Sequence, residues 1–268
     1  MYKLLIVTRD ARVENMFASM QGWEAKGYKQ PRLRATVKDA KECMLKHHID
    51  AIAVDNDAEF EPLNHYLDMN FPILPIFQVE SSPEKQFETL REVHQLLSQL
   101  HSDDSDDGYD EAYYLRLIRE RWMKTLISGS ATAQECIINH HKLYRCPESL
   151  SAPCVFSRLS LPSGETFLTG PWHYGSDRLE VALRNFYGTA QDYMTIYVAV
   201  VSPEEVRVLA CPRPYQDENG TFGPDLVLEY LEETNEQIEK YLGLKMKVVE
   251  IRMLNGLTAF ASLDAEPR

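Results

Sequence analysis

The chain has 268 residues, 44% of them hydrophobic and 26% charged, which is the balance of an ordinary globular protein. Its formal net charge of −13 repels a phosphate backbone and argues against direct nucleic-acid binding by these residues. No run approaches the roughly 18 apolar residues of a membrane span, so no membrane partner is expected. The opening Met1-Tyr2-Lys3 leads straight into a strand pattern without a signal peptide. The five cysteines, Cys43, Cys136, Cys146, Cys154 and Cys211, contain no CxxC pair. A cytoplasmic protein with reduced thiols is therefore expected, and the length suggests two domains of roughly 100–200 residues each.

The predicted elements alternate. Lys3–Thr8 is an apolar run of strand length that ends in Thr8-Arg9-Asp10. Val13–Glu24 spaces Val13, Met16, Phe17, Met20 and Trp23 as a helix, closed by Gly27. Arg32–Val37 is a weak strand, and Lys38–His48 is a helix with Asp39 as its cap. Asp50–Asp55 is a second near-continuous apolar run, ending on a carboxylate. Two such runs separated by helices predict neighbouring parallel strands covered on both faces. Phe60–Met69 is a short helix with Pro62 in its first turn. Phe71–Val79 is a strand that Pro72 and Pro75 confine to an edge. Pro83–His101 is an amphipathic helix. This β-α-β-α-β-α-β-α order predicts a parallel, doubly wound sheet with its site at the carboxyl ends of the strands.

Ser102-Asp-Asp-Ser-Asp-Asp-Gly108 reads as an acidic linker. Tyr109–Ser128 is a helix with Tyr114, Leu115, Ile118, Trp122 and Leu126 along one side. That stripe fits either a homodimer contact or packing onto its own domain. Ala131–Tyr144 is a second helix, with Thr132 as cap and Glu135 three residues on. From Pro153 the order is β-α-β-β-α-β, with strands at Pro153–Leu161, Tyr193–Val201, Glu205–Cys211 and Lys245–Leu254 and helices at Ser176–Tyr187 and Pro224–Leu242. This is the split βαβ, ferredoxin-like pattern.

Three stretches carry a family resemblance: Thr8-Arg9-Asp10 after the first strand, Asp55 at the end of the third, and Trp23-Glu24-Ala25-Lys26-Gly27-Tyr28 after the first helix. On these the chain resembles bacterial response regulators of the YesN type. Those proteins join a receiver to a helical linker, a ferredoxin-like middle domain and an AraC-type DNA-binding domain. The resemblance implies an α/β fold class: a truncated flavodoxin-like receiver with a parallel sheet (1–101), an acidic linker and helical hairpin (102–147), and an α+β ferredoxin-like, degenerate GGDEF-like domain (148–268). It also implies a sensor kinase or another regulator as partner. The chain is then either the N-terminal part of a transcription regulator or a regulator without that output.

The same resemblance predicts that the phosphoryl chemistry is gone. A receiver holds Mg²⁺ between an acidic pair and the phosphorylated aspartate, and Mg²⁺ requires oxygen ligands in near-octahedral array. Here Thr8 and Arg9 stand at the two acidic positions. The family's fourth helix and fifth strand, with their lysine and cis proline, have no room, because only Glu80-Ser81-Ser82 separate Val79 from the next helix. Phe77-Gln78 replace the usual threonine or serine. The degenerate phosphoacceptor site is therefore Asp55, Asp10, Arg9 and Thr8. Either Arg9 forms an ion pair with Asp55 in place of a metal, or Asp55 is a solvated strand-end acid with Arg9 pointing outward.

The family's middle-domain fold is that of diguanylate cyclases, whose hairpin carries a glycine-glycine-acidic signature. Ser202-Pro203-Glu204-Glu205 lacks it, so cyclase activity is not expected. Trp172, His173 and Tyr174 form either a ligand loop or an aromatic cover over the sheet. Cys136, His140, His141 and Cys146 are metal-ligating types, but their spacing matches no common zinc pattern. The expectation is a non-enzymatic regulator without cofactor or metal; the alternative is a small-molecule sensor or enzyme using the ferredoxin-like domain.

Overall fold

The computed structural model describes residues 1–80, 82–101, 110–130, 133–188, 191, 193–213 and 222–262. It is mixed α/β and contains a parallel and an antiparallel four-stranded sheet. The chain divides into two units: Met1–Arg119 with Asn139–Cys146, and Glu120–Ile138 with Pro147–Arg268. The predicted linker 102–108 and the Thr132 cap lie outside the described residues. No helix among the described residues is long and apolar enough to cross a membrane.

In the first unit β1 (Leu4–Val7), β2 (Arg32–Arg34), β3 (Ala51–Val54) and β4 (Ile76–Phe77) pair in parallel in the order β2-β1-β3-β4. Every residue of β1 and β3 is buried, which is why both read as unbroken apolar runs. Leu4, Ile6, Ala51, Ala53 and Phe77 face α1 (Ala11–Ser19) and α4 (Pro83–Leu100) through Phe17, Leu90, Val93 and Leu97. Leu5, Val7, Ile52, Val54 and Ile76 face α2 (Val37–Lys46) and α3 (Glu61–Asn70) through Ala40, Cys43, Leu63 and Leu67. Burying a Leu, Val or Phe side chain contributes roughly 1.5–3 kcal/mol each, so this double cover dominates the unit's stability.

Several boundaries differ from the sequence reading. α1 begins at Ala11, because the Asp10 side chain accepts from Arg12 N and caps it. It stops at Ser19, and Trp23 instead enters a short 3₁₀ turn, Glu24–Lys26, stacked on Phe17 with ring centroids 6.2 Å apart. Gly27 closes that turn at φ 84°, a left-handed conformation that favours glycine, and a Cβ there would lie 2.3 Å from His94 Nε2. α2 is capped by Thr36, whose hydroxyl accepts from Asp39 N at 3.1 Å; the expected cap, Asp39, is the residue being capped. β4 keeps the predicted edge position but holds only Ile76 and Phe77. Phe71 still closes α3, and the residues between Phe71 and Ile76 form a turn and an extended link.

α5 (Glu111–Ile127) and α6 (Gln134–Leu143) are shared out by the division of the chain, Leu115 and Leu143 joining the core of the first unit. Of the stripe read as a dimer contact or as packing onto its own domain, Leu115, Trp122 and Leu126 are buried.

The second unit runs β5 (Cys154–Ser160), α7 (Gly164–Thr169), α8 (Ser176–Tyr187), β6 (Met194–Ser202), β7 (Glu205–Pro212), α9 (Pro224–Leu242) and β8 (Lys247–Leu254). The strands are antiparallel in the order β6-β7-β5-β8. Val155, Leu159, Ile196 and Val208 point to one face and pack on Leu179 and Leu183 of α8 and on Leu231 and Ile238 of α9. On the other face Phe156 meets Phe260 edge-on with centroids 5.8 Å apart, and Arg207 Nη1 donates to Ile127 O at 3.2 Å. The short helix α7 lies just before the aromatic segment Trp172-His173-Tyr174. Its Gly164 sits beneath the β6–β7 turn, where a Cβ would come within 1.7 Å of Pro203 O.

Candidate functional site at the end of the parallel sheet

β1 and β3 pair in register from Leu4–Ala51 to Val7–Val54, so Thr8 and Asp55 leave the sheet side by side. Asp55 N donates to Val7 O at 3.0 Å, and Thr8 N donates to Arg34 O at 3.0 Å, which extends the ladders by one residue. The Thr8 side chain is buried at 1% exposure. Its hydroxyl donates to Asp55 Oδ2 at 2.8 Å and accepts from Asp10 N at 3.0 Å. The other oxygen, Asp55 Oδ1, accepts from Asn56 N at 2.8 Å. Each carboxylate oxygen therefore has its own neutral donor, supplied by the strand ends themselves.

Arg9 does not pair with Asp55. Side chains alternate along a strand and its extension. With Thr8 turned inward, Arg9 projects outward, where its guanidinium pairs with Glu59 and its Nε donates to Ala35 O at 3.1 Å. That ion pair is exposed, with 51% and 43% of the two side chains accessible. Asp10 is also engaged. Arg12 reaches its carboxylate with Nε at 3.1 and 3.2 Å and Nη2 at 2.7 Å. The side-chain and backbone hydrogen bonds from Arg12 hold the Asp10 carboxyl below its ordinary range. The four residues singled out from the sequence thus share one sheet edge, but their side chains fall into three groupings: Thr8 with Asp55, Arg9 with Glu59, and Asp10 with Arg12. Among the described residues no set of three or more His, Cys, Asp or Glu side chains is grouped to hold a metal ion.

One neighbour escaped the sequence reading. Lys142, near the end of α6, donates from Nζ to Asn56 Oδ1 at 2.9 Å, next to Asp55 in the chain. Burial lowers the Lys142 pKa by penalising the charged form. The two residues are 86 positions apart, and no local signal links them.

No protein-family model matches the chain, and no curated protein does either.

The aromatic loop of the second unit turns its polar groups onto itself. Trp172 Nε1 donates to Gly175 O at 3.0 Å, and His173 Nδ1 lies 2.8 Å from Gly170 O. Trp172 stacks on Phe167 at 5.9 Å, while Tyr174 stands exposed. This arrangement resembles a cover more than a set of polar groups converging on a ligand.

A cavity of about 490 Å³ lies instead at the opposite end of the parallel sheet, before β3 and β4 begin. Leu74, Leu97 and Leu100 give it apolar walls, and His47, His48 and His101 bring imidazoles to it. His48 Nε2 pairs with Asp50 Oδ1 at 2.8 Å, and His101 Nε2 with Glu111 Oε1 at 3.2 Å. Desolvation, followed by the charges of Arg32 and Arg34, holds His47 below the usual imidazole range. The third imidazole comes from a different helix, so nothing in the His47-His48 pair itself announces the cavity.

Proposed function

We propose that this chain is a cytoplasmic, non-enzymatic signal-transduction regulator: an atypical response regulator with a receiver-like first unit that transmits contacts rather than phosphoryl groups. The observation that carries this reading is the Thr8 hydroxyl bound to Asp55 at 2.8 Å. Phosphoryl transfer to a carboxylate depends on neutralising charge on the transferred oxygens, which a receiver does with Mg²⁺. At this edge the carboxylate faces a hydroxyl and an amide, Asp10 is held by Arg12, and the arginine is turned away to Glu59.

The ferredoxin-like reading of the second unit is supported by its element order and its β6-β7-β5-β8 sheet. Its hairpin turn carries Pro203-Glu204 in place of a glycine pair, consistent with a contact domain. The partner is a sensor kinase or another regulator. A homodimer through the Tyr109–Ser128 helix belongs to the same proposal, with Leu117 as an exposed apolar residue on it; sedimentation velocity measures it. In this reading the chain is the N-terminal part of a transcription regulator.

The deciding experiment is incubation with acetyl phosphate and Mg²⁺, followed by intact mass and peptide mapping. The expected result is no phosphoryl adduct at Asp55. Stoichiometric, Mg²⁺-dependent labelling of Asp55 overturns the proposal. The small-molecule sensor is the second reading, favoured by the 490 Å³ cavity with its leucine walls and imidazoles. A thermal-shift screen with nucleotides and metabolites tests it: a rise of several degrees with one ligand, abolished by Leu97→Trp, selects the sensor.

A further inference from the structure

Two buried thiols face each other across the antiparallel sheet. β5 and β7 pair Val155 with Ala210, and the same register sets Cys154, the first residue of β5, opposite Cys211, next to the last residue of β7. Leu161 N donates to Glu204 O at 2.8 Å across this ladder, which marks that pair as hydrogen-bonded. Counting back in steps of two puts Val155–Ala210 in the same class and Cys154–Cys211 in the other. In that non-hydrogen-bonded class opposing Cα atoms approach to about 4.5 Å and the side chains stand closest. A disulfide accepts Cα separations of about 4.4–6.8 Å. The backbone is thus already set for one.

The chemistry of the two sulfurs is unequal. The two thiols share a side-chain hydrogen bond. That hydrogen bond, helped by the Gly256 N–H and opposed by burial, holds the Cys154 thiol below its usual range. The same hydrogen bond, burial and the nearby Glu148 charge hold Cys211 well above. Of the two, Cys154 is the more acidic sulfur. Cys43 and Cys136 lie on helices and Cys146 follows one, so none of the three has such a cross-strand neighbour.

We propose that Cys154 and Cys211 form a reversible oxidation site that closes to an intrachain disulfide when the protein meets a hydroperoxide. The Cys154 thiolate attacks one peroxide oxygen, the O–O bond breaks, and Cys154 becomes a sulfenic acid. The departing hydroxide takes up the proton Cys154 gave and leaves as water. The Cys211 sulfur then attacks the Cys154 sulfur and displaces its hydroxide, which leaves as a second water with the Cys211 proton. Two thiols and one hydrogen peroxide give one disulfide and two waters: the sulfurs lose two electrons and the peroxide gains them. A dithiol reverses the step by exchange through a mixed disulfide. Both thiols are buried, at 1% and 3% exposure. The pair sits at the end of the β5–β7 ladder, and strand ends open locally before the sheet does, which admits an oxidant this small.

The test uses the full chain, reduced and desalted, then exposed to hydrogen peroxide under native conditions. Remaining thiols are alkylated in denaturant, and the peptides are mapped by mass. The expected result is a Cys154–Cys211 cross-link that dithiothreitol reverses, accompanied by a Tm rise of several degrees. Cys211→Ser should trap a dimedone-reactive sulfenic acid at Cys154 and form no cross-link. If that variant does not fold, the mapping of the wild-type chain decides alone. Five alkylatable thiols after treatment, a cross-link through Cys43, Cys136 or Cys146, or Cys154 oxidised beyond sulfenic acid without a cross-link each overturns the proposal. The outcome is independent of whether Asp55 accepts a phosphoryl group.

Discussion

Replacing Thr8 by Val removes one buried hydroxyl and leaves the volume of the side chain almost unchanged, so no cavity term enters. Asp55 Oδ2 loses its donor at 2.8 Å, and Asp10 N loses its acceptor at 3.0 Å. A hydrogen bond to a charged group contributes roughly 1.5–3 kcal/mol, and a neutral one about 1 kcal/mol. Asp55 is only partly buried, so water recovers some of the first loss, and the sum comes to about 2 kcal/mol. Thr8→Ser keeps the hydroxyl and gives up one methyl, which costs about 0.8 kcal/mol. Equilibrium urea unfolding followed by far-UV circular dichroism should place the Thr8→Val midpoint about 1 M below wild type, with the Thr8→Ser midpoint between them and the slope unchanged. A double-mutant cycle with Asp55→Ala should return a coupling of about 1 kcal/mol or more. A Thr8→Val protein within about 0.5 kcal/mol of wild type, or one more stable than Thr8→Ser, would refute the claim that the hydroxyl holds the carboxylate.

Other substitutions test the remaining features. Arg9→Ala should change stability by no more than about 0.5 kcal/mol in the same urea titration, because its ion pair with Glu59 is exposed. The Asp10 carboxyl should titrate below the ordinary value of 3.8 in a carbon-detected NMR titration, and Arg12→Gln should return it towards that value. Because the folded pKa is depressed, the stability it contributes is present above the unfolded value and is lost as pH falls through the lower folded one. Gly164→Ala should destabilise the second unit by about 2 kcal/mol or more, read as a lowered thermal midpoint, because the new methyl meets Pro203 O on rigid backbone.

The strands β1 and β3 were legible because helices cover both of their faces, and only apolar residues satisfy two cores at once. The second unit's strands were legible through their alternation, which reflects two faces with different cover. α7 was not legible: Gly164–Thr169 is a short helix with too few residues to show a period, and the hairpin pressing on Gly164 comes from about forty residues later in the chain. At the site, opposite charges at adjacent strand ends left two arrangements open, an Arg9–Asp55 pair or an Arg9 turned outward, and the structure has the outward one. The alternation that turns Thr8 inward and Arg9 outward was present in the sequence and outweighs that attraction. Lys142 was beyond reach, since its place beside Asn56 depends on a helix that returns from much later in the chain. The Cys154–Cys211 pairing likewise emerges only once the register of β5 against β7 is known.

The threading of the first unit has a consequence for biosynthesis. Leu115 and Leu143 complete the core that holds Phe17 and Leu90, although nearly all the rest of that core is encoded before residue 101. A nascent chain therefore leaves the ribosome with its opening sheet assembled but one apolar flank uncovered, and the flank closes only after Cys146 has emerged. Over that interval the half-made protein presents a sticky surface to chaperones, and slow codons placed between residues 101 and 146 would lengthen the exposure.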